Sequence, residues 1–145
     1  MFSVYRRLFA IRIGAVKILE NQTYELLANS YAAIVTSGTA TLETALFEVP
    51  EVVCYRGNIF SYILARILVK VKFISLVNLI MDKEIVKELI QSDFNAPNLK
   101  FELEKILSDE QCRTNMKNNF KELKNKLGGS GASKRTAELM MENLK

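Results

Sequence analysis

The residues best suited to chemistry lie in the run Thr36-Ser37-Gly38-Thr39-Ala40-Thr41-Leu42-Glu43. A short apolar stretch, Tyr31 to Val35, ends there in small hydroxyl residues and one glycine, after which Leu42, Ala45 and Leu46 recur at helical spacing. A strand–loop–helix turn of this kind presents unpaired backbone N–H groups at a helix start that carries about half a positive charge, and so holds anions. Gly38 lets a phosphate approach the backbone closely, while Ser37, Thr39 and Thr41 can donate hydroxyl hydrogen bonds. Glu43, read as lying in the first turn of the helix, is placed to accept hydrogen bonds from a ribose diol. The same residues also suit a helix start with no ligand, because Ser, Thr and Gly are common there and an early Glu is favourable by itself. The run is neither a Walker phosphate loop, since no Gly-Lys-Ser/Thr follows, nor a Gly-x-Gly-x-x-Gly fingerprint.

Histidine is absent, which removes imidazole acid–base chemistry, Ser-His triads and His-based metal sites. Any catalytic base is therefore a carboxylate of this chain or comes from elsewhere. Glu84 and Glu88 are spaced as one helical turn would space a catalytic pair, but Lys83 and Lys87 alternate with them, and a solvated, ion-paired face is the better reading. Cys54 lies in an apolar run with no cation close in sequence and reads as a small buried hydrophobe. Cys54 and Cys112 form no disulfide framework, which fits a reducing cytoplasm.

The elements that must position these groups alternate. The sequence predicts strands over 15–18, 32–35 and 52–55, a short helix after Asn21-Gln22-Thr23, and a helix after the Ser37 loop that ends before Pro50. Such alternation favours a parallel sheet with helices on both faces. The apolar segment from Asn58 to Met81 is long enough to invite a membrane-spanning reading, but Arg66, Lys70 and Lys72 oppose it at roughly 2.5–3.5 kcal/mol each near a bilayer centre. A helix to about Leu68 and an extended piece over 73–76 account for it instead. Further on, Glu84 to Gln91 reads as a short helix, and Pro97 as the first residue of another. Ser108-Asp109-Glu110-Gln111 has the form of a capping box ahead of Met116, Phe120, Leu123 and Leu127, with Gly128-Gly129 as the stop. A last amphipathic helix runs from about Ala132 to Leu144.

With 145 residues, 49% of them apolar, the chain can build one core but is short for a two-domain architecture. The excess of 20 basic over 16 acidic residues, +4, suits a phosphate-bearing ligand or an anionic membrane surface. Aromatic residues are scattered through apolar segments, so no basic stripe interleaved with rings points to nucleic acid. Arg6, Arg7 and Arg12 interrupt the N-terminal apolar residues, and secretion is not indicated.

The run from Val35 to Leu46, then Val49-Pro50, then Val52-Val53-Cys54-Tyr55-Arg56, resembles the lipid-A-disaccharide synthases. So do Leu68-Val69-Lys70, Phe73-Ile74-Ser75-Leu76-Val77-Asn78-Leu79-Ile80 and Val86-Lys87-Glu88-Leu89-Ile90-Gln91, in residue type, spacing and order. A Ser-Gly-x-x-Thr loop followed by an acid is also similar to the transferase that adds N-acetylglucosamine to the peptidoglycan lipid precursor; the downstream Ser-Leu-x-Asn-Leu block narrows the resemblance. The resemblance implies a GT-B fold of two Rossmann-like domains with a nucleotide-sugar donor in the cleft, inverting at the anomeric carbon without a metal or other cofactor. By this resemblance, residues 1–145 would correspond to one partial domain, the UDP-sugar-binding C-terminal half with a helical C-terminal tail, with nothing in them similar to the N-terminal acceptor domain. Met1 accordingly reads as an internal start.

By the same resemblance, Ser37, Gly38, Thr39, Ala40 and Thr41 would hold the UDP diphosphate, Glu43 the ribose, and Arg56, Ser75 and Asn78 would line the donor cleft. No catalytic residue is assigned, because the base is expected in the acceptor domain. The substrates implied are UDP-diacylglucosamine and the monosaccharide phospholipid lipid X. Val77 stands where proline is usual in the family's Ser-Leu-Pro-Asn pattern, a change expected to loosen the turn slightly. The implied location is cytoplasmic, with peripheral contact to the inner membrane through the stretch from Asn58 to Lys72 competing with a core role for the same residues. An N-terminal half supplied separately, or a second copy of the chain, is the implied protein partner. Two other functions compete with that of an enzyme part: a UDP-binding module without turnover, and an inactive remnant of a disrupted gene.

Overall fold

The computed structural model describes residues 19–57, 72–128 and 131–143. In chain order the elements are α1 (Thr23–Ala28), β1 (Ala33–Thr36), α2 (Thr39–Leu46), β2 (Glu51–Tyr55), α3 (Leu76–Met81), β3 (Lys87–Ile90), α4 (Ala96–Ser108), α5 (Glu110–Lys126) and α6 (Ala132–Asn143). The three strands form one sheet in the order β1-β2-β3, parallel throughout. Parallel neighbours need crossover connections, and α2 supplies the one between β1 and β2.

β2 is the central strand, and its sequence shows why. Glu51, Val52, Val53 and Cys54 are all buried, as expected of a parallel strand covered on both faces. β1 is an edge strand among the described residues and alternates, with Val35 buried and Ile34 51% exposed. Around β2 the core gathers Ala45 of α2, Val77 of α3, Val86 and Leu89, Ile106 of α4, and Met116, Phe120 and Leu123 of α5. The last three recur at i, i+4 and i+7, which sets one face of α5 against the core.

The helix boundaries follow local chemistry. Asn95 caps α4 by accepting from the Asn98 N–H at 3.0 Å, with Pro97 in the first turn. Asp109 ends α4 and caps α5, accepting from the Cys112 N–H at 3.0 Å. The cap is therefore Asp109, not Ser108, whose hydroxyl donates back to the Glu104 carbonyl. Gly128, at φ 79°, closes α5 in the left-handed conformation that favours glycine.

Two expectations change. The stretch 84–91, read as a helix, holds the strand β3, with Val52↔Lys87 through Tyr55↔Ile90 in register against β2. Val86, Leu89 and Ile90 sit at i, i+3 and i+4, a pattern that a short buried segment shares with a helix, and pairing with β2 decides between the two. The extended piece expected over 73–76 is a bent lead-in, and α3 begins at Leu76 with Ser75 as its cap. The strand expected over 15–18, the helix expected to about Leu68 and nearly all of the stretch from Asn58 to Lys72 lie outside the described residues. No helix among the described residues is long and apolar enough to cross a membrane.

Candidate functional site

At the carboxyl end of β1, the Ser37 N–H donates to the Cys54 carbonyl at 3.0 Å and continues the ladder one residue past the strand. The chain then turns at Gly38, whose φ of 151° favours glycine, and enters α2 without a side-chain cap. The N–H groups of Gly38, Thr39 and Ala40 have no protein partner among the described residues, and all three residues are exposed. A Cβ built at Gly38 would meet none of the described residues within 4 Å, so among them the space over this turn is open. Three adjacent free donors at the positive end of an eight-residue helix constitute an anion-ready surface.

The hydroxyl groups are disposed differently. Ser37 Oγ donates to the Ile74 carbonyl at 3.2 Å, and Thr41 Oγ1 donates to the Gly38 carbonyl at 2.8 Å, with Thr41 fully buried. Both protons are thus engaged within the protein, while Thr39 is exposed and its hydroxyl has no partner among the described residues. Glu43 is the fifth residue of α2, one turn beyond the position read from sequence and on the same face as Thr39. It lines an open depression of about 400 Å³ with Asn21, Gln22, Thr23, Tyr24 and Glu25.

Arg56 leaves the carboxyl end of β2 exposed, with its guanidinium donating to the Phe94 carbonyl at 3.2 Å and lying 5.8 Å from the Phe94 ring centre. Gln91, at the same end of β3, extends the ladder through its N–H to the Tyr55 carbonyl. Its side-chain nitrogen is buried without a hydrogen-bond partner among the described residues. Ser75 and Asn78, by contrast, are fully buried. The Asn78 amide donates to the Val86 carbonyl and Glu88 Oε1, both at 2.9 Å, and accepts from the Ile85 N–H at 2.7 Å and the Val86 N–H at 3.1 Å. Its full hydrogen-bonding capacity is met inside the protein, so it shapes the surface without being part of it. Val77, beside it, is fully buried in the second position of α3.

The partner of Ser75 and Asn78 is Glu88, which a helical reading of 84–91 had placed on a solvated face. The strand separates the two acids: Glu84 pairs with Lys87 at 2.9 Å on the surface, and Glu88 turns into the 74–78 loop. That ion pair, the largest influence, raises the Lys87 pKa. Cys54 is buried and desolvation pushes its thiol pKa up, which agrees with a packing role and opposes a nucleophilic one. No cluster of three or more metal-ligating side chains occurs among the described residues.

The parallel sheet, its flanking helices and the open turn at the strand ends define a partial Rossmann-like α/β domain, with its anion-ready surface where open parallel sheets hold their ligands. Comparison with known proteins supplies the family. The family model for lipid-A-disaccharide synthetase matches residues 6–142. The chain is 37% identical over 130 residues to the lipid-A-disaccharide synthase of Syntrophus aciditrophicus, covering 90% of this chain and 34% of that one. It is 37% identical over 129 residues to that of Nitrosococcus oceani, covering 89% and 33%, and 38% identical over 131 residues to that of Anaeromyxobacter dehalogenans, covering 90% and 34%. The chain belongs to the lipid-A-disaccharide synthase family, whose members are glycosyltransferases, and it spans about a third of the length of these relatives.

Proposed function

We propose that these residues are the donor side of a lipid-A-disaccharide synthase, the half that holds UDP-diacylglucosamine while its sugar is transferred to lipid X with inversion and UDP is released. The observation that carries this reading is the set of N–H groups of Gly38, Thr39 and Ala40, exposed at the head of α2 and unpaired among the described residues. In this reading they bind the diphosphate, Thr39 adds its hydroxyl, and Ser37 and Thr41 hold the turn in shape. The diphosphate charge meets the helix dipole, and each hydrogen bond to a charged group contributes roughly 1.5–3 kcal/mol. Glu43, over the adjacent depression, accepts from the ribose diol, and Arg56 flanks the cleft at the end of β2.

The acceptor site and the base belong, on this proposal, to the part of the family's length that these 145 residues do not represent. Aligning acceptor and donor is worth roughly 7–11 kcal/mol of a barrier and a general base a further factor of about 10²–10⁴, so donor binding without turnover is the expected behaviour of the chain alone. The test is calorimetric titration with UDP of the wild type, Glu43→Ala and Gly38→Val, alongside an assay with UDP-diacylglucosamine and lipid X with and without a relative's N-terminal half. Weaker binding in both variants and disaccharide only on complementation are expected. Equal affinity in all three proteins would remove the site, and disaccharide made by the chain alone would remove the division of labour.

A further inference from the structure

The Glu88 carboxylate accepts four hydrogen bonds near the proposed site. Its Oε2 accepts from the Ile74 N–H at 2.9 Å. Its Oε1 accepts from the Ser75 N–H at 3.0 Å, the Ser75 hydroxyl at 2.7 Å and the Asn78 side-chain amide at 2.9 Å. Two consecutive backbone N–H groups on one carboxylate fix the orientation of the peptide units they belong to. The Ile74 carbonyl lies in this clamped segment and accepts the Ser37 hydroxyl. No side chain of β3 reaches the anion-ready turn by a hydrogen bond of its own; the Ile74 carbonyl is the relay between them.

We propose that Glu88 is a positioning residue for the Ser37 turn: by clamping Ile74 and Ser75 it aims the Ile74 carbonyl at Ser37 Oγ, and so sets where the N–H groups of Gly38, Thr39 and Ala40 point. The effect on ligand affinity rests on the UDP-binding reading above; the effect on the turn does not. Ser37 begins a turn with no side-chain cap of its own, so the Ile74 carbonyl is the side-chain tether that the described residues give it. A glutamine at 88 would set its NH2 donors against the Ile74 or Ser75 N–H donors, which breaks the clamp without changing side-chain volume.

The test uses the full chain and two readouts. In the absence of ligand, backbone amide chemical shifts of residues 37–41 are compared among wild type, Ser37→Ala, Glu88→Gln and the double variant, with thermal melts to report global stability. Glu88→Gln is expected to move the amides of residues 38–40 in the same direction as Ser37→Ala, and the double variant to add little to either. Unmoved turn amides in a folded Glu88→Gln overturn the proposal. With UDP, each single variant is expected to bind about tenfold more weakly and the double variant about tenfold, not a hundredfold, because the two changes cut one relay. Independent, multiplying losses overturn it, since they mean that Glu88 acts only through stability. If wild type binds no UDP, the donor-site reading fails while the amide shifts still decide the relay. Should Glu88→Gln not fold, Glu88→Asp replaces it: the carboxylate is kept but retracted by one methylene, and shifted turn amides support the relay while unshifted ones overturn it.

Discussion

Two glutamates in neighbouring strands meet burial in opposite ways. Glu88, in β3, has four donors on its carboxylate and is half-buried. Glu51, at the amino end of β2, is fully buried, and neither carboxyl oxygen has a hydrogen-bond partner among the described residues. It lines a cavity of about 240 Å³ with Glu84, Lys87, Glu102, Lys105 and Cys112 among others, at the end of the sheet opposite the Ser37 turn. Desolvation raises its pKa from 4.5 to about 9, so the folded chain keeps it protonated at neutral pH. The contrast teaches that burial of a carboxyl group is not itself stabilising or destabilising. At Glu88 four donors meet the carboxyl oxygens, whereas at Glu51 desolvation stands alone and the group gives up its charge.

Loss of the Glu88 carboxylate should have the largest effect. Glu88→Ala leaves the Ile74 and Ser75 N–H groups and the Asn78 amide without their acceptor, and urea unfolding should show a loss on the order of 4 kcal/mol. A loss below about 1 kcal/mol would mean that water replaces the carboxylate at no net cost.

Glu51 should behave with the opposite sign. Between pH 4.5 and about 9 the folded chain holds this proton and the unfolded chain releases it, so this group's contribution to stability falls as pH rises through that window. At about 1.36 kcal/mol per pH unit, stability at pH 7 should lie roughly 3 kcal/mol below what a non-titrating side chain would give. Glu51→Gln should therefore match wild type near pH 4 and exceed it by roughly 3 kcal/mol at pH 7, measured by urea melts at both pH values. Parallel curves for the two proteins would show that Glu51 titrates normally.

A third acid calibrates the scale. Asp109 is exposed and accepts one N–H, that of Cys112. Asp109→Ala should lower stability by about 1 kcal/mol in the same assay, the ordinary value of a helix cap, and a much larger loss would indicate that its double position between α4 and α5 couples the two helices.

Sequence alone determined the elements that carry strong local signals. Tyr31 to Thr36 and Val52 to Tyr55 are apolar, largely β-branched runs bounded by breakers, and the strands Ala33–Thr36 and Glu51–Tyr55 form on them. Pro97, Asp109 and Gly128 mark helix ends that local rules explain, and the strand–turn–helix at Ser37–Glu43 was legible because an uncapped helix start is a local property. Tertiary structure decided the rest. Whether 84–91 is helix or strand depends on Val52 to Tyr55 being there to pair with it, a contact across more than thirty residues that no short window contains. Only the fold shows that Ser75 and Asn78 spend their hydrogen bonds on Glu88 and the backbone, and that the Ser37 and Thr41 hydroxyls are engaged while the neighbouring N–H groups stay open. Nothing in the sequence marked Glu51 as buried: the predicted strand began at Val52, and it is the packing of distant segments, Met116 of α5 among them with its sulfur 3.4 Å from the Glu51 backbone nitrogen, that encloses this position. Periodicity and capping are written into neighbouring residues, but the satisfaction of a buried polar group is settled by whichever distant segments the fold brings to it.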